Sequence, residues 1–197
     1  GSTPWVGTPE SNGLLSAMGS QASRQSSYDG GPVESVSPYV LHGQGLLAAT
    51  AATAALLERI DSGLGQTVTV TGMQALVQFH VLALTTLADA PDPVTSIGPT
   101  GKHHTYRHFE AKGGRWIAAG GLGGKFETRL LQELGLQEIL DHPDVNGITA
   151  NLLAPERAWA RQQIEETFAE RTVEELIELM QGIGIPCGEV ADRDSWL

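Results

Sequence analysis

Residues 43–72 constrain the fold of this chain more than any other segment. Residues 43–57 are rich in Ala and Leu and contain no proline. Ala and Leu are strong helix formers, so this run predicts a helix. Gly63 and Gly65 follow, and glycine lets the chain leave helical geometry. Residues 67–71 then alternate threonine with valine, which predicts a strand.

A second apolar segment, residues 73–88, predicts another helix. Both predicted helices carry apolar residues on more than one face, unlike an amphipathic helix that lies on a protein surface. We therefore expect both helices to be buried between layers or against another chain.

The chain as a whole divides into three predicted blocks. Residues 1–40 are rich in Ser, Gly and Pro and predict a loop or linker. Residues 41–92 form the helix–strand–helix block. Residues 93–197 predict a small α+β domain with a hairpin near 104–119, helices near 125–134, 155–169 and 172–181, and a final strand near 185–190. The predicted fold class is α/β, with the linker and central helix block followed by this small domain.

The series of helix, glycine turn, valine strand and apolar helix resembles the middle of the family III CoA-transferases. This family includes formyl-CoA transferase, carnitine CoA-transferase and α-methylacyl-CoA racemase. Other segments are similar to the family in the same order. Residues 12–19 resemble the stretch before the central helix, residues 106–119 the Tyr-x-x-Tyr-x-x-x-Asp-Gly-x-Trp-Ile hairpin, and residues 168–190 the closing helix and strand. The resemblance covers about residues 11–190.

This resemblance implies acyl-CoA as the substrate, no tightly bound cofactor, and interlocked dimers. Family members are longer and begin with a Rossmann-like segment that binds CoA. We therefore expect this chain to begin after the CoA-binding half and to stop before the segment that returns to it. Its partner would be a second copy of the chain, or a fused or separate family III subunit.

The resemblance also assigns the catalytic position. In the transferases an Asp just before the central helix attacks the acyl-CoA thioester, since a carboxylate can accept an acyl group and return it. That position falls on Val40 or Leu41, and neither side chain is a nucleophile. Asp29, Glu34 and His42 are the nearest residues that a shifted alignment would offer.

The racemase branch needs acid–base groups on both faces of an enolate. Its His position falls near Pro4 and its Glu position on Gly123, so these positions are empty as well. His42 has two interpretations, a residue that approaches a ligand beside Gly43, or a polar residue at a helix entry.

A candidate ligand-binding loop precedes the hairpin. Formyl-CoA transferase has a mobile glycine-rich loop over its active site, which corresponds by order to residues 97–104. Gly98 and Gly101 remain of its glycines, and Lys102 and His103 would touch a CoA phosphate or pantetheine carbonyl from such a lid. The alternative is an exposed polar lead-in to the hairpin.

Two further patterns are incomplete. Residues 120–125 place glycines between a predicted strand and helix, where backbone amides can bind an anion, but Phe126 interrupts both nucleotide-binding motifs. A tight connection is the alternative. His103, His104 and His108 suggest a metal, yet their spacing is irregular and only Glu110 lies nearby, so no metal site is predicted.

The net charge of −11 excludes some partners. Nucleic acids and anionic membranes need a basic surface, so neither is an expected partner. No signal peptide is visible, and no apolar run free of polar residues reaches membrane-spanning length. The lone Cys187 offers no disulfide framework and fits a reducing cytoplasm, where we expect the protein to lie.

Three functions remain open from the sequence. The chain is a domain of a CoA-transferase that moves CoA between carboxylic acids and lacks its own catalytic Asp, or a non-catalytic copy that scaffolds a partner or binds acyl-CoA. A third alternative is a module similar to a 2-methylacyl-CoA racemase.

Overall fold

The computed structural model describes residues 11–24, 27, 31–84, 101 and 103–196. The chain separates into two compact units, Gly1–Pro99 and Thr100–Leu197. The described part of the first unit is helical. The second combines helices with a small antiparallel sheet.

Four helices make up the described part of the first unit. They are α1 (Asn12–Met18), α2 (Gln21–Arg24), α3 (Tyr39–Ser62) and α4 (Gly72–Leu84). The Ser11 hydroxyl caps α1 by accepting a hydrogen bond from the amide of Leu14 at 3.2 Å. The predicted central helix is confirmed and is longer than the apolar run that indicated it. The end of the second predicted helix, beyond Leu84, lies outside the described residues.

Helix α3 ends as its glycines predict. Gly63 takes a left-handed conformation with φ of 72° and donates its amide to the Arg59 carbonyl, which closes the helix. The prediction of a strand at residues 67–71 is wrong for this unit. This segment is not helical, but it pairs with no strand among the described residues, and a strand requires a ladder of hydrogen bonds with a neighbour.

The core of the first unit is small. Leu15, Val40 and Leu76 are buried together, from α1, α3 and α4 respectively. Glycines let these helices approach closely. A β-carbon on Gly72 would lie 2.4 Å from the side chain of Leu15, and one on Gly43 would lie 2.1 Å from the ring of Phe79.

Most of α3 is exposed in this chain. Only Val40 and Gly43 are buried along its 24 residues, while Leu46, Leu56 and Ile60 are 65%, 61% and 78% exposed. By length and composition α3 is apolar enough to cross a membrane, which the sequence analysis did not anticipate. Core helices of soluble proteins pass the same test, so a single helix of this kind is weak evidence for a membrane. The sequence predicts that α3 is buried, but the described residues of its own unit leave most of the helix exposed.

The second unit is built on a three-stranded antiparallel sheet in the order β1 (Tyr106–Glu110), β2 (Trp116–Gly120), β3 (Cys187–Glu189). The predicted hairpin is confirmed, with Phe109 opposite Ile117. The short final strand near residues 185–190 is confirmed as β3.

Five helices surround or follow this sheet: α5 (Gly124–Glu133), α6 (Gln137–Asp141), α7 (Ala158–Ala169), α8 (Val173–Gly182) and α9 (Arg193–Trp196). The three predicted helices correspond to α5, α7 and α8, although the segment Pro155–Arg157 is a separate 3₁₀ turn before α7. Helix α6, helix α9 and the 3₁₀ turn Thr149–Leu153 were not predicted, because each is too short to show a period.

A single hydrophobic core holds the second unit together. The rings of Phe109 from β1 and Phe168 from α7 stack with centroids 3.8 Å apart. Ile117, Leu176 and Ile185 are buried with them. Strand, helix and the chain entering β3 therefore share one core, which fixes α7 against β1.

Candidate functional site

The position assigned to the catalytic Asp lies in the first turn of α3. Val40 is fully buried against Leu15 and Leu76, and its amide donates to the Oδ1 atom of Asn12 at 3.2 Å. Leu41 is half-buried and packs on the same cluster. Hydrocarbon therefore fills the position that the resemblance assigns to the Asp.

Among the described residues, Glu34 before Val40 and Glu58 after it are the nearest acidic residues in the sequence. Glu34 is exposed, and one of its carboxylate oxygens lies close to Gly13 of α1. Glu58 lies eighteen residues after Val40 on the same helix, about 27 Å away at the rise of an α-helix. Asp29, like Pro4, lies outside the described residues.

His42 lies in the first turn of α3 and is exposed. Its amide donates a 3.0 Å hydrogen bond to the carbonyl of Pro38. This is a backbone hydrogen bond of the first helical turn. This placement fits a polar residue at the helix entry.

The predicted lid loop is described only in part, because Gly98 and Lys102 lie outside the described residues. Gly101 has φ of 118°, and a β-carbon there would lie 3.0 Å from the β-carbon of Arg107. The ring of His103 meets Tyr106 edge-on, with centroids 6.3 Å apart. Both residues therefore lie at the entrance to β1.

His104, the last residue of this loop, is buried, with 4% of its surface exposed. The pKa of its imidazole is lowered to about 4, chiefly by burial and also by the positive charges of Arg161 and Arg107 and the neighbouring His103. The ring is hydrogen-bonded to the backbone of Arg157, while its Nδ1 atom makes no hydrogen bond to any described residue. His104 is therefore a neutral imidazole with one unused nitrogen.

Two arginines act on this imidazole through their charges, and a third meets it through its backbone. Arg107 on β1 lies 5.4 Å above the ring of Phe109, and its Nη1 atom is 2.8 Å from an oxygen of Glu165. Arg161 lies on α7, and Arg157 ends the 3₁₀ turn that precedes this helix. We call His103, His104, Arg107, Arg157 and Arg161 the His104 cluster.

Sequence reasoning identified the histidines of this cluster and missed its arginines. Arg157 and Arg161 follow His104 by more than fifty residues, and only the packing of α7 on β1 brings them together. The i, i+4 spacing of the two arginines was the one signal available in the sequence. That spacing does not reveal that α7 packs against β1.

No metal centre forms among the described histidines, cysteines and carboxylates. His104 is buried, whereas His108 is exposed on β1. The two rings therefore lie in different environments.

The first three residues of the glycine loop at residues 120–124 donate their amides to other groups of the protein. Gly120 donates to the Pro186 carbonyl at 2.8 Å, and Gly121 to the Thr105 carbonyl at 3.1 Å. The Thr105 hydroxyl returns a hydrogen bond to the Gly121 carbonyl at 2.6 Å. These contacts support the interpretation as a tight connection between β2 and α5.

Comparison with known proteins identifies the fold. The family model described as CoA-transferase family III matches residues 1–197. This chain belongs to CoA-transferase family III. No curated protein matches it by sequence.

Solved structures of this family share its fold. A hypothetical protein of Mycobacterium tuberculosis, Rv3272, superposes with a TM-score of 0.77 over 100% of this chain, at 18% identity. A CAIB/BAIF family protein from Brucella suis superposes with a TM-score of 0.68 over 98% of the chain, at 17% identity. The predicted fold class is thus confirmed. The family III chain spans about half the length of these relatives, 51% of each.

Proposed function

We propose that this chain is a domain of a family III CoA-transferase, acting in CoA transfer between carboxylic acids, whose catalytic carboxylate comes from another polypeptide. The observation that carries the proposal is Val40, a fully buried valine in the first turn of the central helix α3. Membership of the family supports CoA thioesters as the substrate class. We propose that the domain needs no tightly bound cofactor.

The missing group has a defined chemical role. In the proposed reaction a carboxylate oxygen attacks the thioester carbonyl, the CoA thiolate leaves, and a mixed anhydride forms. The thiolate then attacks the carboxylate's own carbonyl, releasing the acyl group as a free acid and leaving CoA on the enzyme. Isobutyl and isopropyl side chains cannot begin this sequence, so this chain alone performs no exchange.

The exposed face of α3 supports a protein partner. Leu46, Leu56 and Ile60 lie on this face, and Leu64 and Val68 follow it, 70% and 46% exposed. An apolar surface of this extent is typical of a protein interface. We propose that a second copy, or a fused or separate family III subunit, covers it, and that the assembly works in the cytoplasm.

Calorimetric titration with acetyl-CoA, combined with an exchange assay between acetyl-CoA and a second carboxylate, tests this proposal. We expect no exchange by the chain alone. When an active family III subunit that carries its own Asp is added, we expect the mixture to bind acetyl-CoA and to exchange CoA faster than that subunit does by itself. Exchange by the chain alone would contradict the proposal.

A non-catalytic scaffold is the second candidate, favoured by the same buried valine. It predicts association with the subunit but no acetyl-CoA binding and no added exchange. The racemase alternative requires acid–base side chains, and its Glu position is Gly123, the residue before α5. Solvent deuterium incorporation into 2-methylacyl-CoA would favour that alternative.

A further inference from the structure

Residues 65–71, between α3 and α4, have backbone hydrogen-bonding capacity that the described residues leave unused. The segment contains no helix, turn or bend, and residues 65–69 are exposed. Neither the amides nor the carbonyls of residues 65–69 form a hydrogen bond to a described residue. The segment therefore presents a row of exposed backbone donors and acceptors, as the edge strand of a sheet does.

The segment lies along α3 and is tied to it near both ends. The side chain of Gln66 donates to Glu58 at 3.0 Å, and that of Gln44 donates to the Val70 carbonyl at 3.4 Å. Val68 and Val70 line an open groove of about 540 Å³ together with small side chains of the helix, Ala48, Ala51, Ala52 and Ala55. Because the single chain already sets the course of the segment, little conformational freedom is lost when it pairs.

One edge of the segment points away from Gln44. In a straight stretch of chain the amide and carbonyl of one residue point to one edge, and those of the next residue to the other. Because the Val70 carbonyl faces Gln44, the backbone groups of Val68 point to that edge as well. Those of Thr67 and Thr69 point to the opposite edge, where no described residue meets them.

The sequence of the segment is symmetric about Thr69. Residues 67–71 read Thr-Val-Thr-Val-Thr in both directions. When two such segments pair antiparallel about a two-fold axis at Thr69, threonine lies opposite threonine and valine opposite valine at every position. Cross-strand pairs of β-branched residues stabilise a sheet, and threonine hydroxyls hydrogen-bond across it. The segment is therefore complementary to a copy of itself.

The charge distribution also favours a copy of this segment over a charged strand. The chain carries a net charge of −11, yet residues 62–88 contain no Asp, Glu, Lys or Arg. Two copies that pair here place no like charges opposite each other, which would destabilise the pair. An acidic or basic strand would find no ion-pair partner within the segment.

We propose that residues 65–71 are a docking edge for the same segment of a second copy, which pairs antiparallel through Thr67 and Thr69. The strand that the sequence predicts at 67–71 then forms on association. The inference rests on the proposed function in that a second copy is one of the partners proposed there to cover α3, and it assigns that partner a strand-to-strand contact.

Disulfide trapping in the whole chain tests the register. In a Cys187→Ser background, which removes the one native thiol, Thr69→Cys should form an intermolecular disulfide, because the two-fold axis places residue 69 beside its own copy. Thr67→Cys is the matched control, since its copy lies four residues along the partner strand, about 14 Å away and beyond disulfide reach. Equal cross-linking at both positions would contradict the pairing.

Amide hydrogen exchange and light scattering of the unsubstituted chain test the pairing without any substitution. We expect a dimer in which the amides of Thr67 and Thr69 become protected as the concentration rises, while that of Val68 exchanges freely. Thr69→Pro removes the central donor from both copies and should weaken dimerisation about tenfold or more. Thr69→Ala keeps the amide and should dimerise much as the unsubstituted chain does.

Several results would overturn the proposal. These are a monomer at every concentration, a dimer in which the three amides exchange equally, and a dimer that Thr69→Pro leaves intact. Protection that appears only when an active family III subunit is added would also overturn it, because a strand of that subunit would then be the partner. Failure of the proposed function is distinguishable, since it would leave a self-paired chain that adds no CoA exchange to the active subunit.

Discussion

The amide of Gly120 donates a 2.8 Å hydrogen bond to the carbonyl oxygen of Pro186, and a β-carbon on Gly120 would lie 2.6 Å from that same oxygen. This contact joins the end of β2 to the chain entering β3. Because backbone rather than a flexible side chain opposes the added atom, the clash cannot be relieved without moving a strand.

Gly120→Ala is therefore predicted to destabilise the second unit by about 2 kcal/mol, within the range for overpacking in a closely packed region. Chemical denaturation followed by circular dichroism measures the change. Gly188→Ala is the control, since Gly188 lies in β3 and a β-carbon there meets nothing within 4 Å. An equal loss in both variants would show that the close approach at Gly120 is not the cause.

The buried His104 predicts an acid-sensitive fold. Its pKa is lowered to about 4 in the folded chain, whereas an unfolded histidine titrates near 6.5. Between these values the unfolded chain binds the extra proton, so the free energy of unfolding falls as pH decreases through this window. Above pH 6.5 both states are neutral and the contribution is constant.

Urea unfolding at pH 7.0 and pH 4.5 measures this dependence. The free energy of unfolding should be lower at pH 4.5 than at pH 7.0. In His104→Gln this decrease should be smaller by about 2 kcal/mol, because the variant has no shifted imidazole pKa at this position. His108→Gln should keep the original dependence, because His108 is exposed. A histidine signal titrating near 6.5 at position 104 would contradict the prediction.

The capping box at the start of α8 predicts a separate stability effect. The Thr172 hydroxyl accepts from the amide of Glu175 at 3.3 Å, and the Glu175 carboxylate accepts from the amide of Thr172 at 2.8 Å. Thr172→Ala should reduce the free energy of unfolding by about 1 kcal/mol, and Thr172→Ser should largely preserve it. If the serine variant loses as much as the alanine variant, the lost cap is not responsible.

Local features such as this cap were predictable from the sequence. Thr172 and Glu175 lie three residues apart, and the Ala- and Leu-rich run of α3 signals its helix without reference to any partner. Features that require distant residues were not predictable. The segment 67–71 has a strand composition but needs a partner to become a strand, and His104 meets Arg157 only after α7 packs on β1.

The exposed face of α3 predicts self-association of the chain. Ile60→Glu, on a side chain 78% exposed, should shift light scattering toward the monomer, because an interface would have to bury its charge. Leu122→Glu is the control on the second unit, where Leu122 is 47% exposed. A monomeric unsubstituted chain that binds no dye for exposed apolar surface would contradict this prediction.

The central claim is that hydrocarbon occupies the catalytic position of this family III chain, at Val40 and Leu41. Incubation with acetyl-CoA and hydroxylamine, followed by peptide mass spectrometry, tests it most directly, because hydroxylamine converts an activated carboxylate into a stable hydroxamate. The account predicts no hydroxamate on any Asp or Glu of this chain, with the hydroxamate on the Asp of an added active subunit as the positive control. A hydroxamate mapped to Glu34, Asp29 or any other acidic residue of this chain would contradict it.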